Sequence, residues 1–460
     1  MAELRRAPLL ALLAALAACA EAPSPAQAVS EAPAVRAPAA TAPVAAAPVA
    51  AAVRPITGDP DDYDEVLEAI GDQRRILLGE STHGTHEYYR ERARLTERLV
   101  RERGVRAVAI EGDWGSTERV NRYVRGVGHD RSAAEALGGF RSFPEWMWAN
   151  ADFRDFVERL RAFNLERPAE ERVGLYGMDV YDLFDAADAV VAGLRAADPA
   201  AAQRAQREYR CFAHYRRSTH AYGEAARRPR ASCRDEAQAV LAQVRGVPRP
   251  ADPAAAEAHF ALVRNAASVA AAEEYFRTVY AGSMAWNVRD TRMAENVEEI
   301  AAHVEALSGA PAKVVIWCHN THSGDARATF AANRGELSLG QLMRQRHGED
   351  SFLIGFLSHS GTVYAAPQWD LPGRRYDMRP AIERSYSDLF HRLGIPAFSL
   401  VIRGNQAVAE ALSGPLLERA IGVVYAPATE RQSHYFPTRL AQQFDAIVYF
   451  DRTSAVAPLR

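Results

Sequence analysis

Residues Ile76–Glu91 read I-L-L-G-E-S-T-H-G-T-H-E-Y-Y-R-E. Three apolar residues run into Gly79-Glu80, then Ser81, Thr82 and His83, a second glycine, and a charged amphipathic stretch to Arg103. This is the pattern of a short buried strand (76–79), a tight turn and a helix start. Ser81 and Thr82 are N-cap candidates, and Gly79 and Gly84 supply the freedom of the turn. Ligands of open α/β sheets bind beyond the carboxyl ends of the strands. Glu80 and His83 therefore fall where chemistry is expected.

Downstream the alternation repeats. Strands are expected at Ala107–Ile110, Val173–Tyr176, Val314–Trp317, Phe352–Leu357, Phe398–Ile402, Ile421–Tyr425 and Ile447–Phe450, with helices at Tyr63–Ile70, Ser116–Val124 and Phe153–Asn164 between them. Strands alternating with helices predict an α/β fold: a mostly parallel sheet covered on both faces. Between Asp182 and Val304 no strand pattern appears, and Ala, Arg and Glu recur with helical spacing. That stretch, 182–304, reads as a helical subdomain covering a cleft. The catalytic α/β domain is then 55–181 together with 305–460.

The first 54 residues have a different character. Arg5-Arg6 precede an apolar run, Leu9–Ala18, too short to span a bilayer, and it ends L-A-A-C at Cys19. This resembles a bacterial lipoprotein lipobox, so the expected reading is a signal peptide (1–18) with Cys19 acylated; the alternative is an ordinary secretory signal cleaved nearby. Multiple acyl chains, at about 0.8 kcal/mol per buried CH₂, would tether it stably. Residues 19–54, almost all Ala, Pro and Val, read as an extended tether. The chain is expected to be exported to the periplasm and held at the outer membrane, touching membrane only through this anchor. In such an oxidising compartment Cys211 and Cys233 are candidates to pair. Cys318 reads as a small buried hydrophobe.

The formal net charge of −3 and pI of about 6.5 give no electrostatic case for nucleic acid. Lys313 is the only lysine, so a Schiff-base mechanism elsewhere is excluded. There is no G-x-S-x-G elbow, no G-x-G-x-x-G after a strand and no P-loop, so a serine hydrolase of that type and a nucleotide cofactor are not expected.

What remains is histidine flanked by carboxylates. Strands end in Glu80/His83, in Glu111, in His319/His322 and in His359, with Asp179 a fifth such ending. If the sheet is parallel, all face one crevice. Each has a plainer reading: Glu80 as a carboxylate at a helix start, His359, His434 and Asp179 as structural groups, Trp146, Trp148 and Trp286 as core or cleft wall. Together they suit a general base that activates water directly.

The motifs G-E-S-T-H-G-T-H-E-Y-Y-R-E-R, A-V-A-I-E-G-D, W-N-V-R-D-T-R-M, W-C-H-N-T-H-S-G, I-G-V-V-Y-A-P-A-T-E-R-Q-S-H-Y-F and Q-F-D-A-I-V-Y-F-D resemble the erythromycin esterase family, over about residues 60–460. The resemblance implies an α/β domain with a helical subdomain and hydrolysis of the lactone ester of a macrolide, a route to antibiotic inactivation. By motif position it carries over Glu80, His83, Arg92, Glu111, His319 and His322 and implies His83 as general base with Glu80 or Glu111 as its acid partner; we assign Arg92 with His319 or His322 to the oxyanion or leaving alkoxide. Arg90 is the alternative to Arg92. Asn320, Trp114 and His359 are candidate substrate contacts. No cofactor is required. In a competing reading a divalent metal sits between Glu80, His83, Glu111, His319 and His322. A third reading is a haem- or ligand-binding lipoprotein.

Overall fold

A computed structural model of the chain describes residues 46–281 and 284–459. The expected signal peptide, Cys19 and the tether as far as residue 45 lie outside the described residues. The strands, in chain order, are β1 (Arg54–Pro55), β2 (Arg75–Leu78), β3 (Ala107–Ile110), β4 (Gly174–Gly177), β5 (Val314–Trp317), β6 (Ser351–Ala365), β7 (Arg374–Met378), β8 (Ala397–Val401), β9 (Leu416–Arg419), β10 (Tyr435–Thr438) and β11 (Ala446–Thr453). The main sheet runs β1-β8-β11-β6-β2-β5-β3-β4, with β7 paired to the far end of β6. From β11 to β4 every pairing is parallel, while β8, β1 and β7 pair antiparallel. This is the mixed α/β architecture expected.

Side chains alternate across the strands and build a core on each face. Ile76 and Leu78 of β2 join Val315, Trp317, Ile354 and Phe356 beneath helices His86–Arg103 and Ala151–Leu165. Leu77 joins Ile316, Leu353 and Ile447 beneath helices Ala285–Ser308 and Leu339–His347. A third core, from Val180 to Ala285, belongs to the helical insert. Helix Ala285–Ser308, expected to end that insert, instead packs on the sheet through Met293, Val297 and Ile300. Its amino end therefore reaches the carboxyl edge of the sheet. Cys211 and Cys233 are joined by a disulfide within the insert, and Cys318 is buried and free. No helix among the described residues is long and apolar enough to cross a membrane.

Four expectations are corrected. Residues 46–54 are not tether: Ala46–Ala52 is a helix, and Val49 and Val53, one turn apart on one face, are buried in the sheet core. The helix after β2 begins at His86 with Thr85 at its N-cap, not at Ser81 or Thr82. Those two residues belong to an extended loop, in which Thr82 bridges to Ile421 and the His83 amide donates to the Ile421 carbonyl. Ile421–Tyr425 is therefore no sheet strand. It makes single bridges at Ile421 and Val424, and the strand beside it is β9, paired with β10 in a separate two-stranded ribbon. Charged Glu418 and Arg419 hid that strand, because their burial is made tolerable only by distant partners. Finally, β6 runs on to Ala365, so His359 lies within a strand and not at its end.

Candidate active site

The order β2-β5-β3-β4 places the loops after four neighbouring strands side by side. They carry Glu80/His83, His319/His322, Glu111 and Asp179 in that sequence. The Asn320 amide donates to the Glu80 carbonyl at 2.8 Å, and the His319 amide to Glu111 Oε2 at 2.7 Å. The loops are thus tied to one another. Glycine is required where they touch: a Cβ on Gly79 would lie 2.1 Å from Asn320 Oδ1, and one on Gly84 1.8 Å from the Tyr364 carbonyl oxygen. Both glycines serve close approach rather than an unusual φ.

Two histidine–carboxylate pairs result. Nδ1 of His83 donates to Glu80 Oε1 at 2.8 Å, and the other oxygen of Glu80 lies 2.7 Å from Nη2 of Arg92. Glu80 and Arg92 are wholly buried, whereas His83 keeps 6% exposure. The guanidinium of Arg92 lies over the rings of Tyr89 and Trp317. Arg92 and His83 meet the same carboxylate because the helix starts only after His83. Arg90 instead pairs with Glu91, away from Glu80.

In the second pair, Nδ1 of His322 donates to Asp290 at 2.9 Å and Nε2 accepts from Nη1 of Arg289 at 2.9 Å. The Trp286 ring stacks on His322, with centroids 4.4 Å apart. Arg289 also donates to Glu111 Oε1 at 2.8 Å and grips both oxygens of Asp179 at 2.9 and 2.6 Å. Burial would raise the Glu111 carboxyl, but His322, His83, Arg289 and the His319 amide hold it well below the usual carboxylate range. Burial would lower His322, but Asp290 and Glu111 reverse that direction and raise it.

His319 sits between the pairs, its ring centroid 4.8 Å from that of His83. Its Nδ1 accepts from the Thr321 amide, capping the turn Asn320–Ser323. The ring hydrogen is therefore on Nε2. Nε2 is buried, and the Ser81 carbonyl is its neighbour, but no hydrogen bond of normal geometry joins them. Burial and the adjacent His83 push the imidazole well below its ordinary pKa, so it stays a neutral N–H donor.

Three candidate contacts stand apart. Trp114 is the first residue of helix Trp114–Val124 and is buried in the core against Tyr176 and Phe260. Asn320 is wholly buried, donating to the Phe356 carbonyl and to Glu418 Oε1 at 3.0 and 2.9 Å. It fastens the His319 turn to β6 and β9. His359 stacks on His391 at 3.8 Å, away from the histidine–carboxylate pairs. Behind Asn320, burial raises the Glu418 carboxyl from 4.5 to about 7. A raised acid retains its proton longer in the folded state, so this group's contribution to stability is present below the unfolded value and lost as pH rises through the folded one. Glu418→Gln is expected to flatten the fall in stability between about 4.5 and about 7. Denaturant melts at the two ends of that range test this, and an unchanged slope refutes it.

The carboxylates are engaged by cations of the chain itself. Arg92 occupies one side of Glu80, and Arg289 fills the space between Glu111, Asp179 and His322. Among the described residues no three His, Cys, Asp or Glu groups converge as metal ligands. Of the five residues considered for a metal, Glu80, Glu111 and His322 are thus engaged by other partners. Asp179 was named from sequence only as a strand ending and read as structural; Arg289 and Asp290 were not singled out. Their signal was the motif W-N-V-R-D-T-R-M, which gives no hint that its Arg-Asp pair meets two strands more than a hundred residues away.

Comparison with known proteins agrees with this architecture. The profile described as Erythromycin esterase matches residues 100–453, most of the chain, beginning after the G-E-S-T-H loop. An Escherichia coli protein described as erythromycin esterase type II is 25% identical over 134 residues, 28% of this chain. The match covers 32% of that relative, so less than a third of its length is spanned. A Bacillus cereus protein of known structure superposes with a TM-score of 0.74 at 16% identity, covering 90% of this chain and 98% of that one. A succinoglycan biosynthesis protein gives 0.73 at 16%, with 90% and 97% covered. A mutant of the erythromycin esterase EreC, in its open conformation, gives 0.62 at 16%, with 88% and 97% covered. At such identities the likeness is one of fold, and it is the profile match across most of the sequence that shows that the chain belongs to the erythromycin esterase family, a family of hydrolases.

Proposed function

We propose that the chain hydrolyses a carboxylic ester, the lactone of a macrolide, with water activated by His83 and without a metal. The observation that carries this reading is the Arg92–Glu80–His83 relay. Glu80 fixes the His83 hydrogen on Nδ1, and Arg92 neutralises the far oxygen, so Nε2 is left as the proton acceptor. Water gives its proton to Nε2 as its oxygen bonds to the acyl carbon. The oxyanion takes a hydrogen bond from Nε2–H of His319. Collapse breaks the ester bond, and the His83 proton passes to the leaving alkoxide, giving an acid and an alcohol.

The macrolide assignment is supported by the two relatives described as erythromycin esterases. An aromatic path above the site suits a large, mostly apolar ligand. Tyr181 lies under the Arg289 guanidinium, 6.5 Å from Trp369, which in turn packs 5.0 Å from Phe143. Export as an outer-membrane lipoprotein is part of the proposal and rests on the residues around Cys19.

The test is incubation of the purified chain with erythromycin, with mass spectrometry reporting the gain of one water. Turnover is expected with or without chelator. Loss under chelator overturns the metal-free mechanism, and absence of turnover overturns the substrate. Trp369→Ala is expected to raise KM for erythromycin about tenfold while leaving kcat on a small aryl ester unchanged. An equal change on both esters would remove Trp369 from substrate recognition.

A further inference from the structure

Residues 204–234 carry nine arginines and only two acidic residues, Glu208 and Glu224, in a chain whose formal net charge is −3. Here Arg207, Arg210, Arg216, Arg228, Arg230 and Arg234 are exposed and take part in no ion pair among the described residues. Arg217, by contrast, is tied inward to Asp185 and Asp188.

The fold gathers these residues into one knob. The Cys211–Cys233 disulfide holds the two ends of the segment 5.9 Å apart at Cα. That brings Arg210 and Arg234, the residues flanking the bridge, to the same place. The Tyr215 hydroxyl donates to the Ala231 carbonyl, which sets the Arg216 turn beside Arg228–Arg230. Beneath them, Cys233 donates its amide to the Tyr222 hydroxyl, which donates to buried Glu273. The scaffold under the arginines is therefore rigid, although the arginines are unpaired.

Unpaired guanidiniums on a rigid base suit phosphate, which they bind in a planar, two-pronged fashion. We propose that this disulfide-stapled arginine knob docks the folded body on an anionic phospholipid surface. Lipid is preferred to nucleic acid because the proposed export places the body within tether reach of a bilayer. Juxtamembrane basic residues add attraction to anionic lipid with each charge. The knob has no exposed large apolar side chain, so the attachment is electrostatic and salt-sensitive. It would hold the catalytic body at the membrane face rather than at the end of a free tether. The inference rests on the export reading and is independent of the ester chemistry.

The test uses the full chain carrying Cys19→Ala, which cannot be acylated, oxidised so that Cys211–Cys233 is formed. Co-sedimentation is measured with phosphatidylcholine vesicles and with vesicles rich in phosphatidylglycerol. Association only with the anionic vesicles, abolished by high salt, is expected. Replacing Arg216, Arg228, Arg230 and Arg234 together by Ser is expected to weaken it about tenfold. A matched set of exposed arginines elsewhere that also take part in no ion pair among the described residues (Arg122, Arg346, Arg375 and Arg452, each to Ser) should leave it unchanged. Thermal melts check that both variants fold. No association, or equal loss in both sets, overturns the proposal. Tighter capture of a short DNA duplex at the same salt replaces lipid by a general polyanion.

Discussion

His83→Ala is expected to lower kcat/KM for ester hydrolysis by about 10³–10⁴-fold, the range for loss of a positioned general base. The site concentrates this effect in one ring. His319 is held with its hydrogen on Nε2 and pushed below its ordinary pKa, so it is a donor and not the base. Nε2 of His322 is already occupied by Arg289. No other imidazole in the cluster offers a free lone pair beside a carboxylate-fixed Nδ1. Because its removal also leaves Oε1 of wholly buried Glu80 without its partner, the variant's melting temperature should fall, and activity is compared below that melt. Glu80→Gln is expected to act by another route. It keeps the shape but leaves the Arg92 cation buried without a counter-charge, so both activity and stability should fall. A His83→Ala enzyme retaining more than a tenth of its activity would end the water-activation mechanism as drawn.

Arg289→Met carries the largest expected cost in stability, about 3–5 kcal/mol, the usual range when one partner of a buried ion pair is removed. Arg289 serves Asp179, Glu111 and His322 at once, and both carboxylates are nearly buried. Methionine fills much of the volume but supplies no donor. The pH dependence has a definite sign. A carboxyl held below its unfolded value contributes stability that is present above that value and is lost as pH falls through the folded one. In the wild type Glu111 is such a group. In the variant the share of that contribution due to Arg289, smaller than those of His322 and His83, is gone, so the gap between the two proteins should narrow as pH falls below about 4.5. Urea unfolding at neutral and acidic pH measures it. A constant gap would mean that the loss is one of packing rather than charge.

Much of the sheet was legible because its strands are short, apolar and bounded by polar turns. Val314–Trp317 could be nothing but a buried strand, and the residue after each such run is where a parallel sheet exposes chemistry. That logic placed Glu80, His83, Glu111, Asp179, His319 and His322 at strand ends, and the structure brings those ends side by side. It failed where burial depends on a remote partner. Leu416–Arg419 carries two charges and reads as surface, yet Glu418 is buried against Asn320, and Arg419 against Tyr435 and Glu430. Ile421–Tyr425 reads as core, yet its backbone props the His83 loop.

The sequence alone settled which residue types reach the carboxyl edge, since local period and turn chemistry determine where a strand stops. Only the tertiary structure decided which of them touch. The strand order interposes β5 between β2 and β3, so His319 comes to lie between His83 and Glu111. The end of a helix more than a hundred residues away from β3 delivers Arg289 and Asp290. Those contacts are set by long-range packing, and no spacing along the chain encodes them. They also set the surroundings of each group: one carboxylate holds an imidazole by its Nδ1, another is engaged by an arginine, and one imidazole is left a neutral donor.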